Sequence, residues 1–205
     1  MEKESMFDPM EIDLLKELGN IGLGNATVSL SQMLKNEKIK MTVPEVSLAS
    51  LGEVPELVGG PEKPVAAVFS KASGDFSICL IFLMPVESAR GIIKALTEYK
   101  TCDFCTYGCS VIREVGNIVG ASFLNALSFL TGFTFKPTPP VLAVDMAGAI
   151  LGTIFAETGY SEDFILLIKT AFNTEVTNIE GYLIIIPDLE GIKKIIDILG
   201  LEISP

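Results

Sequence analysis

Apolar positions recur at Ile12, Leu15, Leu18, Ile21, Ala26, Leu30 and Met33 with the spacing of one helical face. Asp8-Pro9-Met10-Glu11 stands just before them, with a capping Asp, a Pro at the first helical position and a Glu that completes the cap. A long helix is therefore expected to reach about Lys35. Ile39 to Val43 alternates and is rich in β-formers, a short strand stopped by Pro44. Glu45 to Val58 is ambiguous and reads as a short, broken helix, followed by loop punctuation at Gly59-Gly60-Pro61. Val65 to Ala72 and Phe76 to Met84 flank Ser73-Gly74-Asp75 and predict a hairpin. Pro85-Val86-Glu87-Ser88 then opens an amphipathic helix to about Glu98.

After a junction at Tyr99 to Phe104 the order repeats. A long helix is expected over about Cys105 to Leu130, ended by Gly132. A short strand follows at Phe133 to Lys136, stopped by Pro137-Thr-Pro139-Pro140, and then an unusually apolar helix at Val141 to Phe155. Strands at Phe164 to Phe172 and Thr177 to Ile186 and a final helix from Pro187-Asp188-Leu189-Glu190 to Leu199 complete the half. Each half reads α-β-α-β-β-α. Two locally paired hairpins imply an antiparallel sheet with helices over much of one face. The expected fold is thus of the α/β (α+β) type, internally duplicated, with long helices packed on a pseudo-two-fold antiparallel sheet. The domain expectation is a single domain, 1–205, made of two repeats at about 8–98 and 104–200.

The repeat carries a motif. Asp13-x-x-x-Glu17-x-x-Asn20-Ile is echoed by Ser110-x-x-x-Glu114-x-x-Asn117-Ile, and self-similarity of this kind outranks propensity. On a helix, positions three and four apart are neighbours. Asp13, Glu17, Asn20, Gly24 and Ser31 therefore form one polar or small stripe, opposite Leu15, Leu18, Ala26 and Met33. Ser110, Glu114, Asn117 and Ala121 form the second stripe. A solvated helix face would explain one copy. It does not explain why a poor helix former, Asn, recurs mid-helix in both. Nor does it explain Gly19, Gly22, Gly24, Gly116 and Gly120, each costing a helix about 1 kcal/mol. Some of these glycines are expected to permit tight packing, and Gly24 and Ala121 to admit a partner against the polar stripe.

Composition narrows the chemistry. The 205 residues include no His, so imidazole-based catalysis and His-ligated metals are excluded. A net charge of −11 argues against nucleic acid and anionic membrane and suits a partner presenting positive charge. No apolar run is long enough to span a bilayer, and Met1-Glu-Lys-Glu opens no signal peptide; the expectation is a soluble, cytoplasmic protein. Cys102, Cys105 and Cys109 cluster, with Cys79 apart in a strand, but the two-pair metal spacing is missing, and reduced thiols at a helix start are the simpler reading. A metal or redox protein remains the third function class. Gly19-x-x-Gly22-x-Gly24 lacks the preceding strand and the Lys-Ser/Thr of a phosphate loop.

What Glu and Asn can do without His is hold and orient. A carboxamide can fix a water toward an electrophile, as a Gln does in some GTPases, and a carboxylate can hold a partner's cation. The duplicated Asp/Ser-x-x-x-Glu-x-x-Asn, trailed by Pro44 and Pro140, resembles the CheC/CheX/FliY family of bacterial chemotaxis phosphatases, its two copies being most similar to the CheC branch. The spacing from Asn20 to Pro44 is one residue longer than that from Asn117 to Pro140. The resemblance implies hydrolysis of the aspartyl phosphate of the response regulator CheY, with Mg2+ bound by the regulator and no cofactor on this chain. It implies that Asn20 and Asn117 place the hydrolytic water, that Glu17 and Glu114 bind the regulator's active-site lysine, and that Asp13 and Ser110 are at most supporting. It also implies pairing with CheD, a receptor deamidase; the sequence itself marks no CheD surface, and the apolar Val141 to Phe155 helix, a candidate, is more simply read as packed in the core. The alternative is a non-catalytic flagellar-switch or signalling adaptor of the same fold.

Overall fold

The computed structural model describes residues 9–33, 40–41, 45–50, 52–97, 103–158, 165–173 and 178–198. In the first half these form α1 (Pro9–Met33), β1 (Lys40–Met41), β2 (Glu45–Ala49), α2 (Val54–Leu57), β3 (Pro64–Gly74), β4 (Ile78–Pro85) and α3 (Val86–Thr97). The second half forms α4 (Thr106–Thr131), β5 (Phe135–Pro137), β6 (Val141–Met146), α5 (Ala147–Thr158), β7 (Ile165–Asn173), β8 (Asn178–Pro187) and α6 (Leu189–Ile198). The ends of α4 follow from its sequence: Cys105 is the extended residue before it, and Gly132 closes it in the left-handed conformation at φ 77°, which glycine adopts without steric cost.

The two apolar hairpins, β3–β4 and β7–β8, pair as their sequences imply, and β4 joins β8 at the centre of one antiparallel sheet. From that centre the order runs symmetrically outward. β3 is flanked by β5 and β6 of the other half, and β7 by β1 and β2 of the other half. Each half thus completes the edge of its partner.

Two expectations are corrected by this exchange. Glu45 to Val58 is not a broken helix: Glu45–Ala49 is a strand on β7, and only Val54–Leu57 is helical. Val141 to Phe155 is not one helix: Val141–Met146 pairs with Pro64–Phe69, and α5 starts only at Ala147. Short apolar runs do not distinguish strand from helix by periodicity. Here the exposed hydrogen-bonding edge of the neighbouring hairpin decides, because its N–H and C=O groups need partners. Each half is therefore α-β-β-α-β-β-α, and the strand expected at Phe133 to Lys136 lies at Phe135–Pro137. The strand expected at Ile39 to Val43 is seen at Lys40–Met41, its other residues lying outside the described ones.

Alternation along the strands splits the core into two layers. Ala66, Val68, Leu80, Phe82, Met84, Leu183 and Ile185 face α1, α3 and α4. Val65, Ala67, Ile81, Leu83, Ile184 and Ile186 face the layer formed with α2 and α5. Both faces are covered, where helices over one were expected. Hence the stretches 65–68 of β3 and 80–84 of β4 read as continuous buried runs rather than alternating ones.

Candidate functional site

The two long helices lie against each other on one face of the sheet. α1 buries Leu18, Leu23, Ala26 and Leu30, and α4 buries Val111, Ile112, Val115, Val119, Phe123 and Leu127, all in the same core layer. The opposite sides of both helices are turned away from that layer. Asp13 and Glu17 are exposed and Asn20 half-exposed on α1; Ser110 and Glu114 are exposed and Asn117 half-exposed on α4. All six residues singled out by the motif therefore stand on outward helix faces, in the same order in each copy.

Packing explains several of the glycines. A Cβ on Gly116 would sit 2.4 Å from Val68 Cβ, so α4 can approach β3 only without a side chain there. A Cβ on Gly22 would sit 3.0 Å from the Phe123 Cα, so α1 comes within backbone reach of α4. Gly24 is different: a Cβ there meets nothing within 4 Å. It leaves the stripe beside Asn20 flat without serving any internal contact. Gly120 would meet Leu80 at an ordinary 3.5 Å, so packing does not demand that glycine.

Within the α4 stripe, the Asn117 Nδ2 donates to Glu114 Oε2 across 3.5 Å, a long contact that links the two side chains one turn apart. The Ser110 hydroxyl is engaged locally: it donates to the Thr106 carbonyl at 2.9 Å and accepts from the Arg113 guanidinium at 3.2 Å. Arg113 is the residue the motif did not single out. It is the one cation in the 106–131 helix, as Lys16 is in the 9–33 helix, and each immediately precedes the motif Glu. That shared position was visible in the sequence as part of the repeat.

The remaining candidates lie elsewhere. Cys105 and Cys109 stand at the start of α4, where the Cys109 thiol donates to the Phe104 carbonyl at 3.2 Å; Cys102 is outside the described residues. Cys79 is half-buried on β4, and loss of water around it pushes its thiol pKa up, disfavouring the reactive thiolate. Among the described residues no group of three His, Cys, Asp or Glu side chains is placed to hold a metal ion. No helix among them is long and apolar enough to cross a membrane. Chemically, the outward faces offer carboxylates to hold a cation and carboxamides to orient a water.

The family model of the CheC-like family matches residues 10–48 and 108–144, two segments that each contain one Glu/Asn pair. CheY-P phosphatase CheC of Bacillus subtilis (strain 168) is 30% identical over 197 residues, covering 93% of this chain and 94% of that protein. Thermotoga maritima FliY shares the fold with a TM-score of 0.73 at 18% identity, over 95% of this chain and 98% of that one. A chain of the CheX–CheY–BeF3–Mg2+ complex of Borrelia burgdorferi aligns with a TM-score of 0.52 at 22% identity, over 81% of this chain and 96% of that one.

Proposed function

The chain belongs to the CheC-like family, and from that premise we propose that it is a phosphatase that hydrolyses the aspartyl phosphate of the chemotaxis response regulator CheY. The observation that carries the reading is the paired Glu and Asn on an outward helix face, present in both halves. An acyl phosphate is already labile, so the catalyst needs chiefly to place the water and the partner. Docking sets the Asn20 or Asn117 carboxamide against a water, and its donor and acceptor fix that water's lone pair in line with phosphorus. The water oxygen bonds to phosphorus, and the bond from phosphorus to the aspartyl oxygen breaks. The aspartate leaves as a carboxylate, and the water's proton ends on inorganic phosphate. Glu17 and Glu114 hold the regulator's lysine by a charge-assisted hydrogen bond and so set the register. A Mg2+ ion held by the regulator would supply charge neutralisation for the transferring oxygens, which this chain's own residues do not provide. Asp13 and Ser110 orient the stripe, Ser110 through its bonds to Thr106 and Arg113.

The same proposal includes a cytoplasmic location and pairing with CheD. The candidate surface for CheD is β6 and α5, on the sheet face opposite α1 and α4. Val141 is exposed there beside a groove of about 310 Å³ lined by Ala143, Ala149, Ile150 and Ile154. Loss of CheD capture in Val141→Glu would support this surface, and full retention would remove it.

The phosphatase assignment is tested by the lifetime of phosphorylated CheY. Asn20→Ala combined with Asn117→Ala is expected to lower the accelerated decay by about 100-fold or more, the usual loss when a transition-state-orienting amide is removed. Each single variant keeps the contribution of the other face. Hydrolysis at the wild-type rate in the double variant would show that these carboxamides do not carry the catalysis, and a wild-type protein that leaves the regulator's lifetime unchanged would make the chain a non-catalytic adaptor.

A further inference from the structure

The two outward faces share their Glu/Asn pair but not what flanks it. Tyr107 is 61% exposed and Phe129 is 84% exposed, the largest exposure among the exposed large apolar side chains of the described residues. At 100° per residue Tyr107 lies within about 20° of Glu114 around the helix, and Phe129 lies about 60° from Glu114 and about 120° from Asn117, at the border of the face. Along the axis they stand about 15 Å and about 18 Å from Asn117, one toward each end, at 1.5 Å rise per residue. A patch of about 800 Å² per partner, usual for a specific complex, is roughly as wide as the distance between them. The Glu/Asn pair is therefore central and the two aromatic rings mark the flanks.

Energetics favour using them. Exposed ion pairs contribute little net free energy, so a carboxylate–lysine contact and a bridging water set register better than they hold a partner. The centre of the patch stays polar because the chemistry occupies it. Apolar area has to come from beside it, and aromatic side chains are the usual anchors. Among the described residues α1 offers no such aromatic pair: the residues 97 positions earlier are Met10 and the exposed Gln32, and the exposed apolar side chain on that face is Val28, which is smaller.

Resting on the phosphatase reading, we propose that Tyr107 and Phe129 are docking anchors for the phosphorylated regulator, which make the α4 face the tighter of the two. Neither touches the reacting atoms; they determine affinity, not the chemical step.

The experiment isolates each face and measures regulator decay against regulator concentration, together with equilibrium binding of CheY loaded with Mg2+ and beryllofluoride. With the α1 face silenced by Glu17→Ala and Asn20→Ala, Tyr107→Ser plus Phe129→Ser is expected to raise KM and Kd about tenfold, with kcat within about twofold. Tyr107→Phe should retain most of the affinity. With the α4 face silenced by Glu114→Ala and Asn117→Ala, the aromatic substitutions should leave the regulator decay that remains unchanged. Leu57→Ser, which removes an exposed apolar side chain from α2, should move neither constant in either background. An unchanged KM in the first background, with Asn117→Ala still abolishing turnover there, overturns the anchors and leaves the phosphatase standing. An equal loss in both backgrounds, or with Leu57→Ser, also overturns them. A wild-type protein that does not shorten the regulator's lifetime removes the phosphatase reading and the anchors with it.

Discussion

The long helices α1 and α4 carry the same motif but are seated differently. α4 lies directly on the sheet, with Gly116 pressed onto Val68 of β3 and Val115, Val119 and Phe123 buried beneath it. α1 approaches the backbone of α4, with Gly22 set against Phe123. The repeat keeps the outward Glu/Asn pair constant while the inward contacts differ: Leu23 and Ala26 of α1 correspond to Gly120 and Phe123 of α4. A helix face that meets a partner is constrained residue by residue. A helix face that meets a core is constrained only in volume and shape.

Phe123→Ala breaks the comparison most severely. The ring is 1% exposed and lies where α1 meets α4, so its loss should lower stability by about 3–5 kcal/mol. Urea unfolding measures this. Because the first helix loses a surface it rests on, amide exchange in α1 should accelerate more than exchange in α4. Equal acceleration in the two helices would show that α1 does not depend on α4. Gly116→Ala probes the other seat. Its new methyl would lie 2.4 to 2.7 Å from three carbons of Val68, an overpacking that costs about 1–3 kcal/mol against a helix-propensity gain of about 1 kcal/mol. Adding Val68→Ala should recover part of the loss, and a double-mutant cycle reads that coupling. Gly24→Ala acts in the opposite sense. Nothing lies within 4 Å of the added methyl, so stability should rise by about 1 kcal/mol or somewhat less. The change also makes α1 match Ala121 of α4.

These contrasts also mark what the sequence could reveal. The outward direction of Glu17, Asn20, Glu114 and Asn117 was legible because helical periodicity fixes a face, and the apolar residues opposite identify which face is inward. The hairpins were legible because two apolar runs joined by Ser73-Gly74-Asp75 form a local unit. β2 and β6 were not, because each is a short run whose partner lies in the other half, more than 70 residues away in the chain. Local propensity carries no information about that edge. Gly22 and Gly24 were likewise indistinguishable as letters. Only the crossing of α1 over Phe123 assigns one to packing and the other to open surface.

The smallest expected effect concerns how the exit of α4 is held, just past Gly132. The Thr134 N–H donates to the Asp75 carboxylate at 2.8 Å and its hydroxyl does so at 3.1 Å, while the Asp75 N–H donates to the Thr134 carbonyl at 3.3 Å. The turn of the first-half hairpin is thereby tied to the segment that leaves the second-half helix. The Thr134 backbone bond, then its hydroxyl, hold the Asp75 pKa below the usual carboxylate value, with Lys194 adding to the effect. A carboxyl whose pKa is depressed on folding lends stability that is present above its unfolded value and is lost as pH falls through its folded value. Asp75→Asn keeps an acceptor for the Thr134 N–H but loses the charge. Near neutral pH the variant should melt slightly below wild type. The gap should close as pH is lowered through and below the ordinary aspartate range, since wild type then loses the same contribution. Thermal melts of both proteins from neutral to acidic pH make the comparison. A gap that persists undiminished in acid would show that shape, not charge, holds the exit of α4 against the first-half turn.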